Sequence, residues 1–387
     1  MKPRPLSKTA SVHLDVIRGI AAVAVLGGHI RGLFFVQYNQ LATHPLWVTV
    51  VYGATSLGHQ AVMVFFVLSG FLVGGSVLKN LDNWSWRDYL INRLTRLYIV
   101  LLPALLLTAG VDFLGWRFST AGTYYLHALP NFTPVPYREH TTWSAFVGNA
   151  TFLQTISVPT FGSDDPLWSL ANEFWYYLLF PAVTLLCARK SKRFWYVCLT
   201  TSILAVLPAS FLPGFAIWVT GALIWMLPPI VVGPKVRRLL IFCSGIFFFV
   251  VLALVSTGHF AEDLADLMVG VTFALWLYFI TKTNGPAVVP KTYSATAGLL
   301  SGFSYSLYAV HFPLVLLLRA WLGGPAWFPS GLTMILAIIT GVSVLVCAYS
   351  FSYLTEARTD DVRRWLTSRW SADSSVTRRQ SLPINAS

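Results

Sequence analysis

Long apolar stretches recur along the whole chain, and they constrain its fold more than any other feature of the sequence. A helix needs ~20 predominantly apolar residues to cross a bilayer, because lipid offers the backbone no hydrogen-bond partners. Of the 387 residues, 56% are hydrophobic and only 11% are charged, which argues against a soluble domain. We predict an all-α, polytopic membrane protein with about ten transmembrane helices, at roughly 15–36, 57–78, 94–114, 166–188, 194–211, 213–232, 239–257, 264–281, 298–320 and 330–354.

The basic residues are concentrated in one of the two sets of loops that join these spans. The formal net charge is +12, but of the 27 Lys and Arg only Arg31, Arg117, Arg138 and Arg319 lie on or near the other side. Cytoplasmic loops of membrane proteins carry such an excess of positive charge. The asymmetry predicts that both termini are cytoplasmic, and it explains the basicity without a nucleic-acid partner.

Composition divides the chain into two regions. Residues 1–355 form the predicted membrane-embedded domain. Beyond it the hydrophobicity falls while Arg and Ser accumulate, so residues 356–387 are predicted to be a basic, largely disordered cytoplasmic tail. The membrane region has no evident internal repeat, which argues mildly against transporter folds built from repeated halves.

The first apolar stretch contains three ionisable residues, Asp15, Arg18 and His29. Arg18 and His29 are eleven residues apart, almost three helical turns, so they share one helix face about 16 Å apart along the axis. Asp15 joins that face one turn earlier. Ionisable side chains inside a membrane span are costly and indicate function by default, although a histidine bonded to a neighbouring helix is the simpler alternative.

Further polar residues occur in other spans. Arg93 and Arg96 are one turn apart at the predicted cytoplasmic end of the third span; they are either positive-inside residues or a phosphate clamp. Glu173 lies inside the fourth span, on one helix face with Ser169, and is either a structural ion-pair partner or a catalytic or binding carboxylate.

Two more segments contain polar groups at helical spacing. Ser304, Tyr308 and His311 line one face of the ninth span, where they either bind substrate or connect helices. The small pair Ser69 and Gly70 permits close helix approach.

Taken together, these segments resemble the acyltransferase 3 family of integral membrane acyltransferases. The matching blocks follow the family's order between residues 14 and 313: Leu14-Asp-x-x-Arg18-Gly through His29, Phe65-Phe-Val-Leu-Ser-Gly-Phe71, Arg93-x-x-Arg96, Leu167-Trp-Ser-Leu-x-x-Glu173 and Ser304-Tyr-Ser-Leu-Tyr-x-x-His311. Many members have Gly-Val-Asp before the Phe-Phe pair, whereas this chain has Ala61-Val-Met63 and lacks that acid.

The resemblance implies transfer of an acyl group, commonly acetyl, from cytoplasmic acyl-coenzyme A to a hydroxyl of a carbohydrate or glycoconjugate acceptor. It implies His29 as the essential histidine and Arg18, Arg93 and Arg96 as the residues that bind acyl-coenzyme A. We predict a substrate pocket formed by Ser69, Trp168, Ser169, Tyr308 and His311, with no metal. We expect the protein to be embedded in the lipid bilayer of a bacterial inner membrane.

Two mechanisms fit these residues. His29 acts as general base on the acceptor hydroxyl, or it accepts the acyl group itself before passing it on. We favour direct transfer because it needs fewer steps, with Glu173 or Asp15 orienting the imidazole. The rival function is a proton-coupled transporter, or a carrier of lipid-linked sugars, in which the intramembrane Arg, His and Glu form a relay. The acceptor, the acyl length and the oligomeric state are not encoded in these motifs.

Overall fold

The computed structural model describes residues 6–118, 123–127, 136–283 and 289–368. Within these ranges the chain is helical and has no strand, only isolated bridges such as Phe35 with Trp327. The α-helices are α1 (Lys8–Phe34), α2 (Leu46–Thr55), α3 (Gly58–Ser69), α4 (Gly75–Lys79), α5 (Trp86–Phe118), α6 (Thr123–Leu126), α7 (Trp143–Ala150), α8 (Leu167–Ala188), α9 (Arg193–Val206), α10 (Phe211–Met226), α11 (Pro234–Val255), α12 (Glu262–Lys282), α13 (Lys291–Gly302), α14 (Ser304–Leu322) and α15 (Gly331–Leu354).

Eight helical stretches of the described residues are long and apolar enough to cross a membrane. This confirms an integral membrane protein built from helices. The predicted spans at 194–211 and 213–232 correspond to α9 and α10, which have 14 and 16 residues. At 1.5 Å per residue they extend only about 21 and 24 Å, less than the ~30 Å hydrocarbon core. The total of ten spans and the cytoplasmic termini therefore stay predictions.

The predicted ninth span is divided into two helices. α13 ends at Gly302 and α14 begins at Ser304, so the helix is interrupted at Phe303, whose N–H bonds to the carbonyl of Ser301. Within the tail, Glu356–Arg358 form a 3₁₀ turn followed by helical residues up to 368. Residues 369–387 lie outside the described part of the chain, so the disorder of the tail stays a prediction.

The core of the bundle is formed by α1, α3 and α14. α1 packs against α3, α13 and α14, while α5 packs on α14 and α10 packs on both α3 and α12. α14 and the Leu46–Lys79 stretch are the most deeply buried of the eight membrane stretches, whereas α15 leaves most of its apolar surface exposed. Such exposure is expected for a peripheral helix that faces lipid.

Five residues between α3 and α4, Gly70–Gly74, form a π-helical turn within one continuous helical stretch. α10 crosses this turn at very short range. A Cβ atom on Gly70 would lie 1.8 Å from the carbonyl oxygen of Trp218, and one on Gly221 would lie 2.0 Å from that of Val67. Only glycine permits this approach, so the Ser69-Gly70 pair brings two helices together as its small size predicts.

The ends of the bundle differ in charge. The end where α1, α5 and α9 begin carries Lys8, Arg87, Arg93 and Arg193, and we call it the basic end; the opposite end is called the far end. At the far end Arg319 is buried and donates to the carbonyls of Leu33 and Gly324, at 3.0 and 2.9 Å. This arginine therefore has a structural role, because it joins the end of α14 to the end of α1.

Candidate active site

Two cavities lie one above the other in the core. The first, called the arginine cavity, is near the basic end and has a volume of about 120 Å³; its polar lining consists of Arg18, Ser69, Arg93, Arg96, Ser169, Glu173, Tyr177, Ser304, Tyr305 and Tyr308. The second, called the histidine cavity, is near the far end and has a volume of about 430 Å³; its polar and aromatic lining consists of His29, Arg31, Gln37, Thr55, Ser56, His59, Asp165, Trp168 and Tyr308. Val62 and Tyr308 line both.

Arg18 is held in the arginine cavity by the junction of α13 and α14. Its Nε donates to Ser304 Oγ at 3.1 Å, and its Nη2 donates to the Ser301 carbonyl at 2.8 Å. Asp15 lies one turn earlier in α1, with its Oδ1 3.9 Å from the same Nη2. The break at Phe303 makes this arrangement possible, because it leaves the end of α13 free to accept a side-chain donor.

Arg93 and Arg96 project from α5 into the same cavity. The Arg93 guanidinium lies 5.8 Å from the ring centroid of Tyr89, and its Nε is buried with no hydrogen-bond partner among the described residues. The structure thus brings together the three predicted coenzyme-binding arginines. A guanidinium whose donors are not used by the protein is suited to bind an anionic ligand.

Glu173 closes the arginine cavity from α8. Its Oε1 accepts hydrogen bonds from Ser69 Oγ at 2.7 Å and from Tyr177 OH at 2.5 Å. Ser69 in turn accepts from Trp218 Nε1 at 3.1 Å. Ser69 directly precedes the π-helical turn, and such turns within helices are frequent at functional sites. The predicted pocket residue Ser69 therefore fixes the Glu173 carboxylate.

Tyr308 lies at the boundary between the two cavities. Its hydroxyl donates to the Pro166 carbonyl at 3.0 Å and lies 2.5 Å from Ser169 Oγ. The first turn of α8 also contributes to both sides, with Ser169 in the arginine cavity and Trp168 in the histidine cavity. These predicted pocket residues therefore form the wall between the two cavities.

His29 lines the histidine cavity and contacts a second imidazole. Its ring centroid is 5.0 Å from that of His311 and 4.8 Å from that of Phe312, both in edge-on orientation. His311 is buried, and its Nδ1 donates to the carbonyls of Tyr308 and Leu307 at 2.8 and 3.1 Å. Because those bonds hold the proton on Nδ1, Nε2 keeps its lone pair; it has no partner among the described residues.

Of the two carboxylates predicted to orient His29, Glu173 lines the arginine cavity, and Asp15 lines neither cavity. The hydrogen bonds found for Glu173 join it to Ser69 and Tyr177, and Asp15 lies beside Arg18. That either one orients His29 stays a prediction. His311 lines neither cavity but is packed against the histidine that does.

Sequence reasoning missed several residues of the histidine cavity. His59 opens the Phe-Phe-Val-Leu-Ser-Gly-Phe span, and its signal was available as an ionisable residue in an apolar stretch. Asp165 precedes α8, where burial raises its pKa to about 6, against the opposing effect of hydrogen bonds from Tyr137 and Thr160. Arg31 was counted only for topology, yet it lines this cavity.

Apolar helices surrounding two adjoining polar cavities define an integral membrane protein with a polar site inside the helical bundle. A model of the acyltransferase 3 family, described as an acyltransferase domain, matches residues 12–353. The chain belongs to this family.

Comparison with curated proteins found a partial relative. The chain is 33% identical over 172 residues to the "Acyltransferase MdmB" of Streptomyces mycarofaciens. The alignment covers 43% of this chain and 38% of that protein's length. No solved structure matched the chain.

Proposed function

We propose that the protein is an O-acyltransferase that takes an acyl group, in the simplest case acetyl, from acyl-coenzyme A bound at the basic end. The acceptor is a hydroxyl of a carbohydrate or glycoconjugate that enters from the far end. The observation that carries this proposal is that the arginine cavity and the histidine cavity adjoin, with Tyr308 and Val62 lining both. Two substrates of different chemistry can then meet inside the membrane without sharing an entrance.

The lining of the arginine cavity supports coenzyme A as the donor. It combines three guanidinium groups with apolar side chains such as Phe65 and Leu68, which suits a ligand that has phosphates at one end and a thin, largely uncharged arm at the other. The thin pantetheine arm would enter the cavity, and the phosphates would stay near Arg93 and Arg96. Arg18, already fixed by Ser304 and Ser301, would add positive charge deeper in the core.

In the proposed reaction His29 is the general base. Its imidazole takes the proton of the acceptor hydroxyl, and the hydroxyl oxygen forms a bond to the thioester carbonyl carbon. The carbon–sulfur bond then breaks, and the proton passes from His29 to the departing sulfur, giving the ester and free coenzyme A thiol. In the alternative, His29 carries the acyl group itself; an acyl-protein adduct trapped by acid quenching would distinguish the two routes.

The proposal also gives the protein an orientation. If the basic end faces the cytoplasm, as the positive-inside distribution predicts, the donor enters from the compartment that contains acyl-coenzyme A. Both termini are then cytoplasmic, and the acceptor is modified from the outer side of a bacterial inner membrane.

Thiol release from acetyl-coenzyme A by the detergent-purified protein tests the function, measured with and without a panel of methyl glycosides. The expected result is thiol release that depends on a glycoside, with one ester formed per thiol. If no acyl-coenzyme A is consumed while reconstituted protein exchanges labelled sugar across vesicles, the protein is a carrier and the proposal fails.

A further inference from the structure

A histidine–carboxylate pair lies in the histidine cavity apart from His29. His59, in the first turn of α3, has its Nε2 2.8 Å from Asp266 Oδ2 of α12. Asp266 is 9% exposed, so its carboxylate is withdrawn from water. Glu262 lies 3.8 Å from the same nitrogen, but its side chain is 81% exposed and such surface pairs contribute little.

The bond to Asp266 leaves one imidazole nitrogen available to a ligand. A carboxylate oxygen accepts, so His59 Nε2 carries the proton in this bond, and Nδ1 makes no hydrogen bond among the described residues. The His59 side chain is 36% exposed and lines the histidine cavity. Asp266 Oδ1 is also buried without a partner in the described part of the chain. Buried polar groups are normally hydrogen-bonded, so Asp266 Oδ1 has the capacity to accept one further hydrogen bond.

An aromatic plane accompanies the pair. The indole of Trp168 stacks on His59, with ring centroids 6.0 Å apart and planes inclined by 19°. Phe66 meets the same indole edge-on at 6.2 Å, which fixes its plane. Trp168 therefore lines the cavity beside His59 with an indole whose orientation is fixed by two ring contacts.

We infer that His59, held by Asp266, and Trp168 form the subsite that binds the acceptor ring. The inference deepens the proposed function and rests on it. A polyhydroxylated ring has an apolar C–H face, which packs on the indole, and hydroxyls at its edge, which hydrogen-bond to the imidazole. His59 is thus a binding residue for a hydroxyl that is not the one acylated, and it sets the position of the reacting hydroxyl near His29.

The test is a comparison of Michaelis constants in His59→Ala and Asp266→Asn. A site built to hydrogen-bond a hydroxyl loses affinity when that bond is removed. We expect the KM for the methyl glycoside to rise about tenfold relative to the KM for acetyl-coenzyme A. The matched control is Asp263→Asn, which makes the same change at an exposed acid in the first turn of α12 and leaves the ratio as in the wild type.

A merely structural pair would give a different result. In that case both Michaelis constants and the melting temperature would change together, and the inference would be overturned. Equilibrium binding of a tritiated methyl glycoside separates this question from turnover. If wild-type protein turns over no thioester but binds the glycoside, and His59→Ala does not, the subsite stands while the proposed function fails; equal binding by both proteins overturns the subsite.

Discussion

At the scale of single residues, the arginines of the arginine cavity differ in how many of their N–H groups donate hydrogen bonds to other protein groups. Arg18 donates through Nε and Nη2 to Ser304 and Ser301, which fixes its position. Arg93 is stacked near Tyr89, and its buried Nε has no partner within the described residues. Arg93 is therefore the arginine whose hydrogen-bonding capacity is best explained by a ligand.

Replacing Arg93 with Ala tests this assignment. Loss of a charge-assisted hydrogen bond to phosphate costs about 1.5–3 kcal/mol, so we expect the KM for acyl-coenzyme A to rise by at least about tenfold. The KM for the acceptor should change little, since Arg93 does not line the histidine cavity. Steady-state kinetics with each substrate varied in turn measures both values.

Arg87→Ala is the control for that experiment. Arg87 also belongs to the beginning of α5, but it lies outside the lining of the arginine cavity. An equal rise in KM in both variants would mean that general positive charge attracts the donor, and the specific role of Arg93 would be refuted.

The ionisable residues of the site could be recognised from the sequence, but their grouping could not. Arg18, His29 and Glu173 stand out because charge is rare in apolar spans. Helical periodicity did not reveal that Glu173 faces the arginines, because this depends on how α8 packs against α3. The pair His59–Asp266 joins residues 207 positions apart, a contact that no local pattern encodes.

At the scale of helices, the π-helical turn and α10 form a contact that depends on glycine. A Cβ on Gly70 would overlap the Trp218 carbonyl oxygen, and backbone cannot move aside as a flexible side chain can. The contact also sets the position of Ser69, which bonds both Trp218 and Glu173. Disturbing it should therefore affect stability and the arginine cavity together.

We expect Gly70→Ala to lower the free energy of unfolding by about 2 kcal/mol or more, as overpacking in a close contact does. Thermal unfolding of the purified protein in detergent measures the change. Gly110→Ala serves as the control, since a Cβ there meets no atom within 4 Å and alanine favours the helix. Equal melting temperatures for Gly70→Ala and wild type would contradict the contact.

Hydropathy predicted most of the helices and missed their interruptions. Apolar length identifies a span because lipid requires every backbone group to be bonded within the helix. The break at Phe303 and the π-helical turn at Gly70–Gly74 coincide with tertiary contacts that a hydropathy profile does not contain, with Arg18 at the first and α10 at the second. For α9 and α10 hydropathy predicted spans that are longer than the helices. The apolar stretches extend over 194–211 and 213–232, but the helices have only 14 and 16 residues.

At the scale of the whole molecule, the bundle separates two chemistries along one axis. The arginine cavity near the basic end collects positive charge, and the histidine cavity near the far end collects imidazole, carboxylate and aromatic groups. The sequence predicted both sets of residues on the first helix, with Arg18 and His29 about 16 Å apart. That they belong to separate cavities with Tyr308 in the shared wall emerges only from the packing of α1, α3, α8 and α14.

The most direct test of this account is thioester turnover by His29→Ala beside the wild type. Removing a general base typically costs 10²–10⁴-fold in rate, so we expect acceptor-dependent thiol release to fall by about that factor while coenzyme A still binds. His259→Ala, a change at an exposed histidine bonded to Thr257, should turn over like the wild type. A folded His29→Ala protein that releases thiol and forms ester at the wild-type rate would contradict the central role of His29.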